Sequence, residues 1–206
     1  MITVVDYGVG NIGSVVNMLG RLGYRVAAAS TASAIHEATR LILPGVGAFD
    51  PAMRRLRQSS LIDPLSEQVL QRRVPILGIC LGAQMMTRSS DEGTEPGLGW
   101  LAASTRRMDF RGVPGKWPLP NIGWRDVRPI NGYRLLADCS ESARFYFVHS
   151  YYLCADVAGD LNSIVTTYGF EYAAGLCHNH IHAVQFHPEK SHRFGMRLLK
   201  NFVEFG

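Results

Sequence analysis

Two short stretches of this 206-residue chain carry residue types that together can do nucleophilic chemistry. Gly78-Ile79-Cys80-Leu81-Gly82 has the form of a G-x-nucleophile-x-G elbow, with Cys in the place of Ser. A turn that ejects a nucleophile crowds its neighbours, so the flanking positions must be small. An apolar run precedes Cys80 and a helical stretch follows, which puts the thiol at a helix N-terminus, where partial positive charge favours thiolate. The next backbone N–H, on Leu81, points where an oxyanion would develop. A thiolate nucleophile needs a base, and the base needs an orienting group. Of the seven histidines, only His187 has a carboxylate in a fixed relation, in Phe186-His187-Pro188-Glu189. Pro188 sets its own φ and restricts His187 to extended geometry, and strand alternation points His187 and Glu189 the same way. Two plainer readings stand beside these: a cysteine packed as a small hydrophobe beside a glycine turn, and a His/Glu pair capping the closing helix.

Those residues act together only if secondary structure brings them to one place. Residues 2–5 form a short apolar run before a Gly8-Val9-Gly10 turn. From Asn11, Ile12, Val15, Val16, Leu19 and Leu22 recur at helical spacing, closed by Gly23. Residues 24–28 read as a second strand and residues 41–43 as a third, broken at once by Pro44-Gly45-Val46-Gly47. A helical stretch ends near Arg73, residues 76–79 form a fourth strand, and residues 81–86 are helical. Buried strands alternating with helices indicate an α/β fold, a doubly wound and mainly parallel sheet with ligands at the carboxyl ends of its strands. After Asp91 the character shifts. Residues 93–132 are rich in Gly, Pro and Trp, and residues 145–148, 163–167 and 183–186 read as further strands, several of them antiparallel. Phe194, Leu198, Leu199, Phe202 and Val203 give the closing helix one apolar stripe. No repeat or long linker divides the chain, so residues 1–206 are expected to form one domain.

Composition removes other classes. Apolar residues make up 47% of the chain and charged residues 18%, enough for a sizeable core and unlike a disordered chain. No apolar run approaches the roughly 18 residues of a membrane helix, and the start Met1-Ile2-Thr3-Val4-Val5-Asp6 lacks a basic leader, so a cytoplasmic protein is expected. The net charge of +4 comes from scattered arginines without an aromatic platform, which speaks against nucleic acid. The four cysteines lie far apart with no C-x-x-C pair and read as reduced thiols. A strand through His178, His180 and His182 would align three imidazoles, but no carboxylate or thiol of matching spacing completes a metal site. Gly8-Val9-Gly10-Asn11-Ile12-Gly13 matches a dinucleotide fingerprint, yet no acidic residue closes the second strand to hold a ribose. Neither a metal nor another cofactor is expected.

Taken together, the motifs resemble the class I (triad) glutamine amidotransferases, whose signatures are a G-x-C-x-G elbow followed by Gln, a P-G-x-G loop and a terminal H-P-E. Here they stand as Gly78–Gln84, Pro44-Gly45-Val46-Gly47 and His187-Pro188-Glu189, in the expected order along residues 1–206. Asp6-Tyr7-Gly8-Val9-Gly10-Asn11-Ile12-Gly13-Ser14, Asn121-Ile122-Gly123-Trp124 and Phe147-Val148-His149-Ser150-Tyr151-Tyr152 are similar to the glutaminase subunits of imidazole glycerol phosphate synthases. Thr87 and Arg88 depart from the apolar and aromatic residues usual after the elbow, and Ala183 stands where Gly is common.

The resemblance implies a flavodoxin-like doubly wound sheet with antiparallel additions, and a Cys80–His187–Glu189 triad that hydrolyses glutamine. It implies an oxyanion hole from backbone N–H groups of Leu81 and of the Val46–Gly47 loop, and substrate contacts from Gln84, Glu92, Ser150 and Tyr151. It also implies a partner, a (β/α)8-barrel cyclase subunit, that takes the ammonia in histidine biosynthesis. Asn11 and Lys190 are expected to face it, their plainer readings being a helix cap and a solvated lysine. A paralogous subunit serving another synthase, a free-standing Cys-dependent γ-glutamyl hydrolase and a catalytically silent scaffold are the alternatives.

Overall fold

The apolar run near the N-terminus forms β1 (Ile2–Val5), buried along its whole length and paired in parallel with β2 (Val26–Ala29) and β3 (Arg40–Gly45). Next to β3 lies β4 (Ile76–Cys80), and next to β4 lies β11 (Ile181–Val184), again parallel. The resulting order β2-β1-β3-β4-β11 is the flavodoxin-like one, in which ligands sit beyond the carboxyl ends of the strands. The sheet continues antiparallel through β10 (Phe170–His178), β9 (Asn162–Tyr168), β6 (Asn121–Pro129) and β7 (Arg144–His149). Two more strands, β5 (Ala103–Arg107) and β8 (Tyr151–Ala155), attach through β10. This computed structural model describes residues 1–130, 132–139, 143–157 and 161–206.

Side chains alternate along the central strands, so each strand feeds two cores: Leu41 and Leu43 face one, Ile42 the other. The first is closed by α2 (Ala32–His36), α3 (Phe49–Gln58), α4 (Ile62–Ser66) and the single turn α5 (Leu81–Met85), through Ile35, Phe49, Met53, Leu56 and Leu65. The second is closed by α1 (Ile12–Arg21) and α6 (His192–Phe205), whose Leu19, Leu198 and Phe202 pack with Phe145, Phe147 and Phe186.

Several details differ from the sequence reading, each for a local reason. The third strand is not broken at Pro44 but runs to Gly45, pairing with Ile79 and Cys80 of β4. Its ladder with β1 ends at Ile42, so the missing N–H of Pro44 deprives no neighbour. The helical stretch before Arg73 is α3, then α4, then a π turn over Glu67–Gln71, and Ser60 at φ 58° separates the first two. The last central strand lies over residues 181–184, two residues earlier than expected. As a result Asn179 and His180 form a hairpin turn between β10 and β11 and split the three alternating histidines.

Glycine substitutions are expected to separate close packing from helix propensity. A Cβ on Gly82 would collide with the Leu43 carbonyl, whereas one on the exposed face of α1 at Gly20 meets nothing within 4 Å. In chemical denaturation, Gly82→Ala should lose about 1–3 kcal/mol of stability, while Gly20→Ala should gain about 0.5–1 kcal/mol.

Candidate active site

Every residue of β4 is buried, and its last, Cys80, turns sharply at φ 53° and ψ −111° into α5. Such a backbone costs a non-glycine residue about 1–3 kcal/mol. Both flanking glycines are enforced by crowding. A Cβ on Gly78 would lie 2.7 Å from Ala83 Cα and from Met86 Sδ, and Gly82 abuts β3. The cysteine that emerges is only 7% exposed.

The base arrives from β11 by a different route than strand alternation. The His187 N–H donates to Tyr146 O (2.9 Å), and the chain then enters a 3-10 turn over Pro188–Lys190 with Pro188 at its first position. Ser191 Oγ pins this turn, donating to His187 O (2.6 Å) and accepting from Tyr146 N–H (3.0 Å). The turn folds Glu189 back so that its Oε1 accepts from His187 Nδ1 at 2.7 Å, with both side chains 2% exposed. The expected contact is present, made by a turn rather than by a continued strand. Since Nδ1 carries that proton, Nε2 is left toward the cavity; it is buried and makes no well-formed hydrogen bond. Catalytic hydrogen bonds are often this loose before substrate binds.

Burial disfavours the His187 cation, but the adjacent Cys80 sulfur and Glu189 carboxylate outweigh it and push the pKa up to about 9. For Glu189, burial alone would raise the pKa, yet the hydrogen bonds from His187 and Asn11 hold it below the usual carboxylate range. The second histidine of the region, His149, goes the other way. Burial pulls it down to about 4, and its ring nitrogens are engaged by Tyr151 O (2.7 Å) and Tyr172 Oη (3.0 Å). It is a structural group, not a competing base.

A cavity of about 380 Å³ opens over Cys80 and His187. Gln84, Glu92, Ser150 and Tyr151 line it, as do Val46, Gly47 and Leu81, with Lys190 at the edge, so the sequence-assigned residues converge. Glu92 Oε2 accepts from the Phe49 N–H that opens α3 (2.9 Å); burial raises its pKa, and Asp50 adds to that. A half-buried carboxylate of this kind suits an ammonium group. Gln84 is less free than expected, because its Nε2 donates to Tyr151 O (3.2 Å) and to Gln185 Oε1 (3.1 Å), leaving its Oε1 for a ligand. The Val46–Gly47 loop is braced from below by Tyr7, whose hydroxyl donates to Pro44 O (2.9 Å). Gly10 packs on the same proline, which accounts for a glycine of the set-aside dinucleotide pattern.

Asn11 and Lys190 part company. Asn11 makes no side-chain cap on α1; its Nδ2 donates to Glu189 Oε1 at 3.1 Å. Lys190 is exposed, its ammonium 5.7 Å from the Tyr146 ring centre. Two buried residues went unassigned in sequence: Gln185, and Asn121, which bonds His149, Tyr172 and Arg125 behind the Ser150 wall. A polar residue inside an apolar strand run was the available signal for Gln185. Among the described residues no group of three or more metal-ligating side chains occurs. His180 Nε2 meets Val69 O and His182 Nδ1 meets Tyr133 Oη.

These environments set the pH dependence of stability. The raised pKa of His187 stabilises the fold fully below about pH 6.5, and this contribution is lost as pH climbs through about 9. The lowered pKa of His149 acts on the acid side, its contribution falling away as pH drops from about 6.5 towards 4. Urea denaturation from pH 5 to 9.5 should give a maximum near neutrality for wild type, and His187→Gln should flatten the alkaline limb alone.

Residues 3–205 match the family described as glutamine amidotransferase class-I. The chain is 47% identical over 204 residues to imidazole glycerol phosphate synthase subunit HisH 2 of Pseudomonas aeruginosa, covering 99% of each. It is 46% identical over 207 residues to imidazole glycerol phosphate synthase subunit HisH of Bdellovibrio bacteriovorus, covering 99% of this chain and 100% of that one. A solved structure described as a glutamine amidotransferase superposes with a TM-score of 0.73 at 19% identity, over 99% of this chain and 98% of that one, a likeness of fold. With a match along nearly its whole length and close relatives on the same scale, the chain belongs to the class I glutamine amidotransferase family.

Proposed function

We propose that this protein is the glutaminase subunit of an imidazole glycerol phosphate synthase, hydrolysing glutamine and passing ammonia to a (β/α)8-barrel cyclase partner in histidine biosynthesis. One observation carries the reading: Cys80 and His187 share a cavity with Glu92 and Gln84, so nucleophile, base and amino-acid ligands face one space. The names of the P. aeruginosa and B. bacteriovorus relatives support the synthase.

Glutamine enters with its side-chain amide carbon over Cys80 Sγ and its ammonium group toward Glu92. The thiolate adds to that carbon, a C–S bond forms, and the carbonyl electrons move onto oxygen. Backbone N–H groups of Leu81 and the Val46–Gly47 loop receive the oxyanion, each such donor being worth about 10²–10³ in rate. His187, cationic and held through Nδ1 by Glu189, gives its Nε2 proton to the amide nitrogen; the C–N bond breaks and ammonia leaves. Water then adds to the thioester as Nε2 takes its proton. The C–S bond breaks, releasing glutamate and restoring the thiolate–imidazolium pair.

The partner seats over the cavity mouth, against exposed Lys190 and the loop carrying Asn11, in a heterodimer. Asn11 donates from that loop to Glu189, so docking there bears on the triad directly. No helix among the described residues is long and apolar enough to cross a membrane, and a cytoplasmic site of action is part of this reading. A paralogue serving another synthase is the second reading. Thr87 and Arg88 fit either. Buried Thr87 donates to Gln84 O (2.8 Å), and Arg88 pairs with Asp156, both away from the cavity.

Glutamate release should rise strongly when the barrel subunit and its nucleotide are added, and Lys190→Ala should reduce that stimulation while sparing release by the isolated chain. Release indifferent to the barrel, and faster on γ-glutamyl peptides than on glutamine, would instead identify a free-standing hydrolase. Steady-state kinetics of Glu92→Gln should show KM raised about 10–100-fold with kcat little changed, as expected for a lost contact to a charged group.

A further inference from the structure

The strand that delivers His187 also delivers a polar side chain to which the mechanism assigns no task. Gln185 is fully buried between Val184 and Phe186, and its backbone N–H donates to Ala174 O (2.9 Å), which fixes its place in the sheet. Its side chain lies against the elbow, with Nε2 3.8 Å from Cys80 Sγ and Oε1 3.1 Å from Gln84 Nε2. Which end of each amide faces which way follows from a group that cannot flip. Tyr151 O is a backbone acceptor, so the Gln84 amide must present its NH2 end there (3.2 Å), and the same NH2 reaches Gln185. The oxygen of Gln185 must therefore face Gln84, and its NH2 must face the sulfur.

We propose that Gln185 is a catalytic residue of the glutaminase reaction, its side-chain amide donating to Cys80 Sγ and stabilising the thiolate before glutamine arrives. This rests on Cys80 being the glutaminase nucleophile. A charged sulfur in a site only 7% exposed has little water to solvate it and needs fixed donors in addition to the imidazolium. An amide supplies one without a proton to lose or a charge to balance. The relay Tyr151 O–Gln84–Gln185–Cys80 also ties the substrate wall to the nucleophile, so Gln84 has a second role, holding Gln185 in register. The titratable groups facing Cys80 are His187, with Glu189 behind it, and Tyr7 behind the elbow; Glu92, His149 and Lys190 line the rest of the cavity. All of them are retained when Gln185 is replaced.

The test is alkylation of Cys80 by iodoacetamide in the full chain, followed by peptide mass at pH 6.5 and pH 9.5. Gln185→Met keeps the volume and removes the donor, and Gln185→Glu keeps the shape and sets an oxygen against the sulfur. Because thiolate is the reacting form, alkylation at pH 6.5 should fall about tenfold in Gln185→Met and at least as much in Gln185→Glu. At pH 9.5 both should stay within about twofold of wild type. Gln84→Met, which lets Gln185 turn, should fall between. Wild-type rates at both pH values in Gln185→Met, or equal slowing at both, would overturn the role of Gln185. A wild-type Cys80 no more reactive at pH 6.5 than Cys139, Cys154 and Cys177 would overturn the glutaminase reading itself.

Discussion

The rest of the site depends on one backbone constraint, the reversal at Cys80. The chain leaves a completely buried strand and enters a helix within a single residue, held at positive φ with no glycine there to ease it. That geometry survives because the surroundings over-determine it. β4 is sandwiched between β3 and β11, and Gly78 and Gly82 let the turn press against Ala83 and the Leu43 carbonyl. The strain is on the order of 1–3 kcal/mol, and burying the apolar side chains of β4, at roughly 1.5–3 kcal/mol apiece, offsets it. What it achieves is position: a sulfur at the carboxyl end of a central strand, beside the loops that end β1 and β3 and the turn after β11.

Electrostatics then divides labour between two buried histidines. His187 and His149 lie in the same wall, and burial alone would neutralise both. Only His187 has a carboxylate behind it and a sulfur before it, so it alone is favoured as a cation at neutral pH. Glu189 supplies the carboxylate because Pro188 starts a turn that Ser191 and Tyr146 lock, and Asn11 completes the arrangement from the opposite end of the chain. Asn11 and His187, far apart along the chain, thus share Glu189 Oε1 as one acceptor oxygen. Through Asn11 the N-terminal loop therefore reaches the carboxylate that orients the base.

In the sheet's parallel half, β1, β3 and β4 were legible because they are buried on both faces and read as apolar runs. The elbow was legible because crowding demands glycine at Gly78 and Gly82. The antiparallel half was only partly so: β5, β6, β8 and β10 carry Arg, Tyr, Trp and Gly, and tertiary packing rather than local pattern fixes them. The His–Glu contact was foreseen with the wrong backbone, since one proline is compatible both with an extended strand and with the first position of a 3-10 turn. Asn11 was expected to face the partner and Gln185 had no assigned role; the contacts that each makes in the site could not be foreseen in sequence. Their partners, Glu189 and Cys80, are distant along the chain, and only the sheet order brings them within reach.

The central claim is that the strained Cys80 is the nucleophile in glutamine hydrolysis, and acid quenching during turnover tests it most directly. With glutamine in excess and the reaction stopped within one turnover, mass spectrometry of the Cys80 peptide should show a γ-glutamyl thioester. The adduct should be absent from Cys80→Ala, which should also release no glutamate above background. Glutamate release that persists in Cys80→Ala, or turnover in wild type with no adduct on Cys80, would contradict the account.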